Sequence, residues 1–218
     1  MDQKQAVLAR EVLVQETKTT QRLDVKEIAK GAVETVGGAG LLALGAKTMF
    51  ILPFTMIPFT LQTLFLTYLI LLLGNRSWRP VATYIAMGLM GLPVFAYGGG
   101  LYYVLSPTFG YIIGFLAAAI IAGYYIGNPP LLYPRKLVIA ATLIQGIVYT
   151  MGFLWLAGWL TLTRLIPVHT ALATAFIIGV APFIAWDILK ALMAVGLLVG
   201  THKTKTIISR YLSVLGNT

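Results

Sequence analysis

Between Thr35 and the C-terminus, this 218-residue chain holds a single carboxylate, Asp187. Soluble globular domains carry about 25% charged residues, whereas 11% of this chain is charged and 58% is hydrophobic. The chain reads as an all-α integral membrane protein. A helix needs about 20 apolar residues to cross a bilayer, and the length fits about six such spans. Lys190 follows Asp187 by three residues, so in a helix the two charges share a face. Ionisable groups inside apolar sequence are costly and most often face a partner, a cavity or a ligand.

Other chemistries lack the residues they require. There is no cysteine, which excludes disulfides, thiolate catalysis and cysteine metal sites. His169 and His202 are not spaced as metal ligands, and only one acid is near them, so neither metal nor cofactor is expected. Aspartyl proteolysis within a membrane needs two acids, and the apolar region has one. Ser77, Ser106, Ser209 and Ser213 all read as loop or tail residues. No nucleotide-binding loop is present, so the chain is not expected to be an enzyme, and ATP would have to be hydrolysed by another chain. The net charge of +9 comes from basic residues flanking apolar segments. That distribution points to membrane lipid and cytoplasmic loops rather than nucleic acid. The mixed-charge N-terminus lacks the apolar core of a signal peptide.

The chain divides into a charged extension at 1–30, a membrane region at 31–200 and a basic tail at 201–218. Spans are expected from Gly31 to Leu52, Leu61 to Gly74 and Pro80 to Ala96. A fourth opens at Ser106-Pro107 and ends near Gly127, before a hard stop at Asn128-Pro129-Pro130. A fifth covers Leu137 to Leu160. The stretch from His169 to Gly200 is too long for one span, because at 1.5 Å per residue it would reach about 45 Å against a core of about 30 Å. Pro182 divides it into a short helix at 168–180 and a last span from Pro182 to Val199. Ala39 and Ala43 form a small-xxx-small pair on the first span, which lets another helix approach closely.

Lys and Arg set the orientation. One side holds six in residues 1–30, then Arg76 and Arg79, Arg135 and Lys136, and Lys203, Lys205 and Arg210. The other side holds only Lys47 and Arg164. Thirteen against two places both termini in the cytoplasm and Asp187 toward the outer face.

Several polar features sit toward that face. Gly98-Gly99-Gly100 reads either as a tight turn or as backbone that a ligand approaches closely. In Pro58-Phe59-Thr60-Leu61-Gln62-Thr63, Thr60 either caps a helix or meets a solute. Gln62 likewise bonds either a neighbouring helix or a solute. Phe59, Tyr97, Tyr102, Tyr103, Tyr111, Trp155 and Trp159 suit an interfacial belt or a pocket lining. Asp187 and Lys190 read as a structural pair, a solute-binding pair or a proton site. An ion pair buried only to pair with itself is often no better than an apolar replacement.

Five stretches then occur in order: PFTLQT (58–63), LLLG ending at Gly74, GLPVFAYGGG (91–100), SPTFGYIIGF (106–115) and APFIAWDILKA (181–191). Together they resemble the BioY family, the biotin-specific S components of energy-coupling factor (ECF) transporters. The resemblance implies a six-helix S-component fold in a prokaryotic plasma membrane. It implies biotin capture from outside, with a transmembrane coupling protein and two cytoplasmic ATPase subunits as partners. It assigns ligand contacts to Asp187 and Lys190, and further contacts to Gln62, Tyr111, Gly99 and Gly100. Ala39 and Ala43 would face the coupling protein. Trp186, where a small residue is common, and Tyr97, within a Gly/Ala-rich run, depart from the family pattern, as does the length of the 1–30 extension. The alternatives are an autonomous proton-linked transporter using Asp187, and a scaffold without ligand.

Overall fold

The computed structural model describes the backbone of residues 3–127 and 133–215, and the side chains of 25–127 and 133–201. The expected stop at Asn128-Pro129-Pro130 and the side chains of the expected basic tail lie outside those residues. Among the described residues are seven α-helices, two short 3-10 helices (Gly74–Arg76 and Leu101–Leu105) and one small hairpin. The α-helices and strands are α1 (Gln3–Lys47), β1 (Met49–Phe50), β2 (Phe59–Thr60), α2 (Gln62–Leu73), α3 (Trp78–Leu89), α4 (Phe109–Ile126), α5 (Pro134–Arg164), α6 (Val168–Gly179) and α7 (Ile184–Leu215).

Helix α1 joins the expected extension and first span into one rod of 45 residues. At 1.5 Å per residue it is about 68 Å long, roughly twice the depth of a bilayer core. It stops at Lys47 rather than Leu52. Residues 49–50 instead pair antiparallel with 59–60, Met49 opposite Thr60 and Phe50 opposite Phe59. The third helix ends at Leu89, short of Ala96. The chain instead folds back on the helix, and the Phe95 ring packs where a Cβ on Gly88 would stand. Gly91 turns the chain at φ 102° ahead of Pro93.

The fourth helix begins at Phe109, not at Ser106-Pro107. The Ser106 N–H closes a 3-10 turn by donating to the Tyr103 carbonyl. At the other end of the chain the division at Pro182 holds. Residue 165 takes a left-handed conformation at φ 54°, α6 follows as its own 12-residue helix, and α7 then starts at Ile184 and runs beyond Val199.

Helix α4, helix α5 and the Ile184–Thr201 part of α7 are long and apolar enough to cross a membrane. Ile120, Tyr124, Leu154, Leu162, Leu189 and Leu192 are all at least 48% exposed on these helices. Large apolar surface left open in this way marks a membrane or protein interaction surface. Small residues draw the helices together. A Cβ at Gly38 of α1 would sit 2.6 Å from Pro80 of α3, and one at Gly114 of α4 would sit 3.0 Å from Val148 of α5. Ala39 belongs to this internal packing and is only 1% exposed, while Ala43 is partly buried against the core. Ala39, expected to face a coupling protein, is packed here against the protein's own helices. Gly37 and Gly40 face open space.

Candidate functional site

Near the hairpin, α2, α4, α5 and α7 converge on a cavity. Helix α2 contributes Gln62 and Thr63 at its first two positions, with Thr60 just before them. Helix α4 contributes Tyr111, Ile112 and Phe115; α5 contributes Val148 and Tyr149; α7 contributes Asp187 and Lys190. Ile57, Pro58, Ala96, Tyr103, Thr108 and Phe183 from the connecting segments and Gly179 at the end of α6 complete the wall. The lining is mostly apolar, with a few convergent polar groups, as in small-molecule sites generally.

Asp187 lies in the first turn of α7, where the helix dipole favours negative charge. It is 3% exposed, and a buried carboxylate is tolerable only when its oxygens are bonded. Oδ1 accepts from Lys190 Nζ at 2.8 Å and from Thr63 Oγ1 at 2.8 Å. Oδ2 accepts from the Tyr149 hydroxyl at 2.5 Å. An ionised carboxylate offers about four acceptor positions, so these three donors leave capacity on Oδ2.

Lys190 is 5% exposed. Its ammonium also donates to Thr63 Oγ1 at 3.3 Å and lies 4.0 Å from the centroid of the Phe59 ring. Phe59 is in turn held by Phe183, stacked at 6.4 Å, and by Trp186, edge-on at 5.6 Å. Trp186 thus braces the site from outside without lining it.

Gln62 donates to the Tyr84 hydroxyl at 2.8 Å, so its neighbouring-helix bond exists alongside its place in the wall. Thr60 Oγ1 accepts from the Gln62 N–H at 3.3 Å. This is a local turn bond rather than a cap, because Leu61 holds the N-cap position of α2 and makes no side-chain cap bond. Tyr111 donates to the Gly179 carbonyl at 2.8 Å. Its ring lies 2.2 Å from where a Cβ on Gly152 would stand, and its hydroxyl oxygen 2.5 Å from where one on Gly179 would stand. Thr108 donates to Tyr103 at 3.2 Å, and burial pushes the Tyr103 phenol above its usual range, keeping it neutral.

Gly99 and Gly100 are not in the wall. A Cβ at Gly99 would lie 2.1 Å from the Leu92 carbonyl oxygen, and the Gly100 N–H donates to Gly88 O at 2.7 Å. They fasten the turn to the end of α3, which is the tight-turn alternative. Asp187, Lys190, Gln62 and Tyr111 come together in one cavity. Thr63 and Tyr149 were not anticipated as parts of this arrangement, while Phe59, one of the aromatics suited to a belt or a pocket lining, packs over the Lys190 ammonium. The one available signal was that a buried Asp187 required donors, and a Tyr or Thr within an apolar helix can supply one.

Comparisons with known proteins show the family to which the chain belongs. A model described as BioY family matches residues 16–206, reaching further into the N-terminal segment than the five motifs do. A probable biotin transporter BioY from Lysinibacillus sphaericus is 36% identical over 155 residues, 71% of this chain and 77% of that protein. The biotin transporter BioY of Thermotoga maritima is 31% identical over 172 residues, 78% of this chain and 92% of its own. A crystal structure of the S component for biotin from an ECF-type ABC transporter superposes with a TM-score of 0.67. It covers 82% of this chain and 93% of that one at 22% identity, which establishes a shared fold. With a family model spanning most of its length and relatives above 30% identity, the chain belongs to the BioY family.

Proposed function

We propose that the chain is the biotin-binding S component of an ATP-driven ECF transporter. It captures biotin on the outer side of a prokaryotic plasma membrane, which it crosses six times with both termini in the cytoplasm. The chain itself is not an enzyme. A transmembrane coupling protein and two cytoplasmic ATPase subunits supply the energy. The names of the relatives and of the structural neighbour support the solute and the role. The strong bias of Lys and Arg supports the orientation.

The observation that carries the reading is the spare acceptor position on Asp187 in a mostly apolar cavity. Biotin has two ureido N–H donors beside an apolar thioether ring. One N–H takes the remaining position on Asp187 Oδ2. The ureido carbonyl takes the Lys190 hydrogen that otherwise rests on the Phe59 face. Tyr111, Phe115 and Val148 cover the apolar rings. Equilibrium binding of biotin at nanomolar concentration to the protein purified in detergent tests this, and saturable binding is expected. Absence of binding overturns the assignment. Biotin uptake into vesicles containing this chain alone, at a rate matching the full complex, would instead favour a proton-linked transporter.

A further inference from the structure

Lys47 is the last residue of α1 and is exposed. Its Nζ donates to the Phe95 carbonyl at 2.8 Å, and the next residue, Ala96, lines the cavity. On the other side, the Leu61 N–H donates to the carbonyls of Gly45 and Thr48. Met49 pairs with Thr60. These contacts set Thr60 and Gln62, both cavity residues, against the end of α1. Lys47 is not itself in the wall, but its ammonium is bonded to the residue before Ala96, and its neighbours Gly45 and Thr48 are bonded to the residue between Thr60 and Gln62.

Its charge is not neutralised there. Among the described residues, the ion pairs are Arg76 with Glu34 and Lys190 with Asp187. The only acid in the wall is thus already paired with Lys190. An ammonium has three N–H donors, and the Phe95 carbonyl uses one. Arg164, the other cation assigned to this side, stacks on Trp159 at 5.7 Å, on a residue outside the wall.

We propose that Lys47 is the counter-ion for the solute's carboxylate at the mouth of the cavity, so that the site selects a solute with an anion opposite its hydrogen-bonding end. This rests on the biotin reading above. The ureido group at Asp187 leaves the valerate tail to run outward, and burying the head without neutralising the tail would sacrifice charge-assisted bonds. A surface peg that only fastens Phe95 is the competing role, and a neutral ligand separates the two.

The experiment measures binding of biotin and of biotin methyl ester to the wild-type protein, Lys47→Gln and Arg164→Gln. Glutamine keeps most of the side-chain length and a donor for Phe95. Lys47→Gln should weaken biotin about fivefold to tenfold, as expected for a charged bond at a partly solvated position, and leave the ester unchanged. Arg164→Gln should change neither. Equal losses for both ligands would make Lys47 a structural peg and overturn the proposal. So would undiminished biotin binding by Lys47→Gln, or an equal biotin loss in Arg164→Gln. If the wild-type protein binds neither ligand, the biotin assignment itself falls and this proposal falls with it.

Discussion

The Tyr149 hydroxyl of α5 lies 2.5 Å from Asp187 Oδ2, on the opposite side of the carboxylate from the oxygen that Lys190 and Thr63 share. Three helices thereby fix one side chain, and the carboxylate plane has little freedom. Tyr149→Phe removes a hydrogen bond to a buried charge, worth about 1.5–3 kcal/mol. The unliganded protein should melt several degrees lower in detergent. Biotin binding should weaken as well, because the carboxylate can then rotate. An unchanged melting temperature would mean that the bond contributes nothing measurable.

Asp187→Asn keeps the shape of the side chain and removes its charge. A charge-assisted bond to biotin is worth about 1.5–3 kcal/mol, so affinity should fall roughly tenfold to a hundredfold. The variant also strands the Lys190 ammonium, and breaking a buried pair costs about 3–5 kcal/mol. Stability and binding must therefore be separated. The double variant Asp187→Asn, Lys190→Met removes the stranded charge, so it should recover stability but not affinity. Nanomolar biotin binding by the double variant would show that neither charge contacts the solute.

The pair itself was legible in the sequence, because one acid in a long apolar region has few innocent explanations. The three-residue spacing to Lys190 was legible for the same reason. Tyr149 and Thr63 were not. Each is a common residue in its helix, and only tertiary packing brings positions 63, 149 and 187 together. The break at Pro182 was readable because proline acts locally. The early ends of α1 and α3 were not, because a β pairing follows the one and a fold-back that seats the Phe95 ring against Gly88 follows the other. From the residues alone the triple glycine suited a tight turn, and the family resemblance then assigned Gly99 and Gly100 to ligand contact. Only the bonds to the end of α3 distinguish the two.

Gly152 offers a test of the cavity's shape that touches no polar group. A Cβ there would lie 2.2 Å from the Tyr111 ring, so Gly152→Ala forces the ring to move. The displaced ring enters the cavity or abandons its bond to Gly179. Overpacking of this kind costs about 1–3 kcal/mol. Biotin affinity should drop while the protein remains folded, with a melting temperature lowered by a few degrees. The companion Tyr111→Phe keeps the ring in place and removes only the hydroxyl, so it should bind biotin more tightly than Gly152→Ala. Equal affinity in Gly152→Ala and wild type would remove Tyr111 from the binding surface.

The two faces of α1 should respond in opposite ways to the same bulky residue. Gly38 faces inward, and a Cβ there would lie 2.6 Å from Pro80. Gly38→Leu should separate α1 from α3 and lower the melting temperature sharply, with biotin binding lost as a consequence. Gly40 has nothing within 4 Å of its Cβ position, and Val36 and Leu44 beside it are exposed. Gly40→Leu should keep the fold and the biotin affinity of the isolated chain. If the outward face of α1 is where the coupling protein packs, the same variant should cut ATP-dependent biotin uptake by the assembled complex, because close helix approach needs small residues. Measured together, unchanged binding and lost uptake would place the partner on this face. Full uptake by Gly40→Leu would move it elsewhere on the molecule.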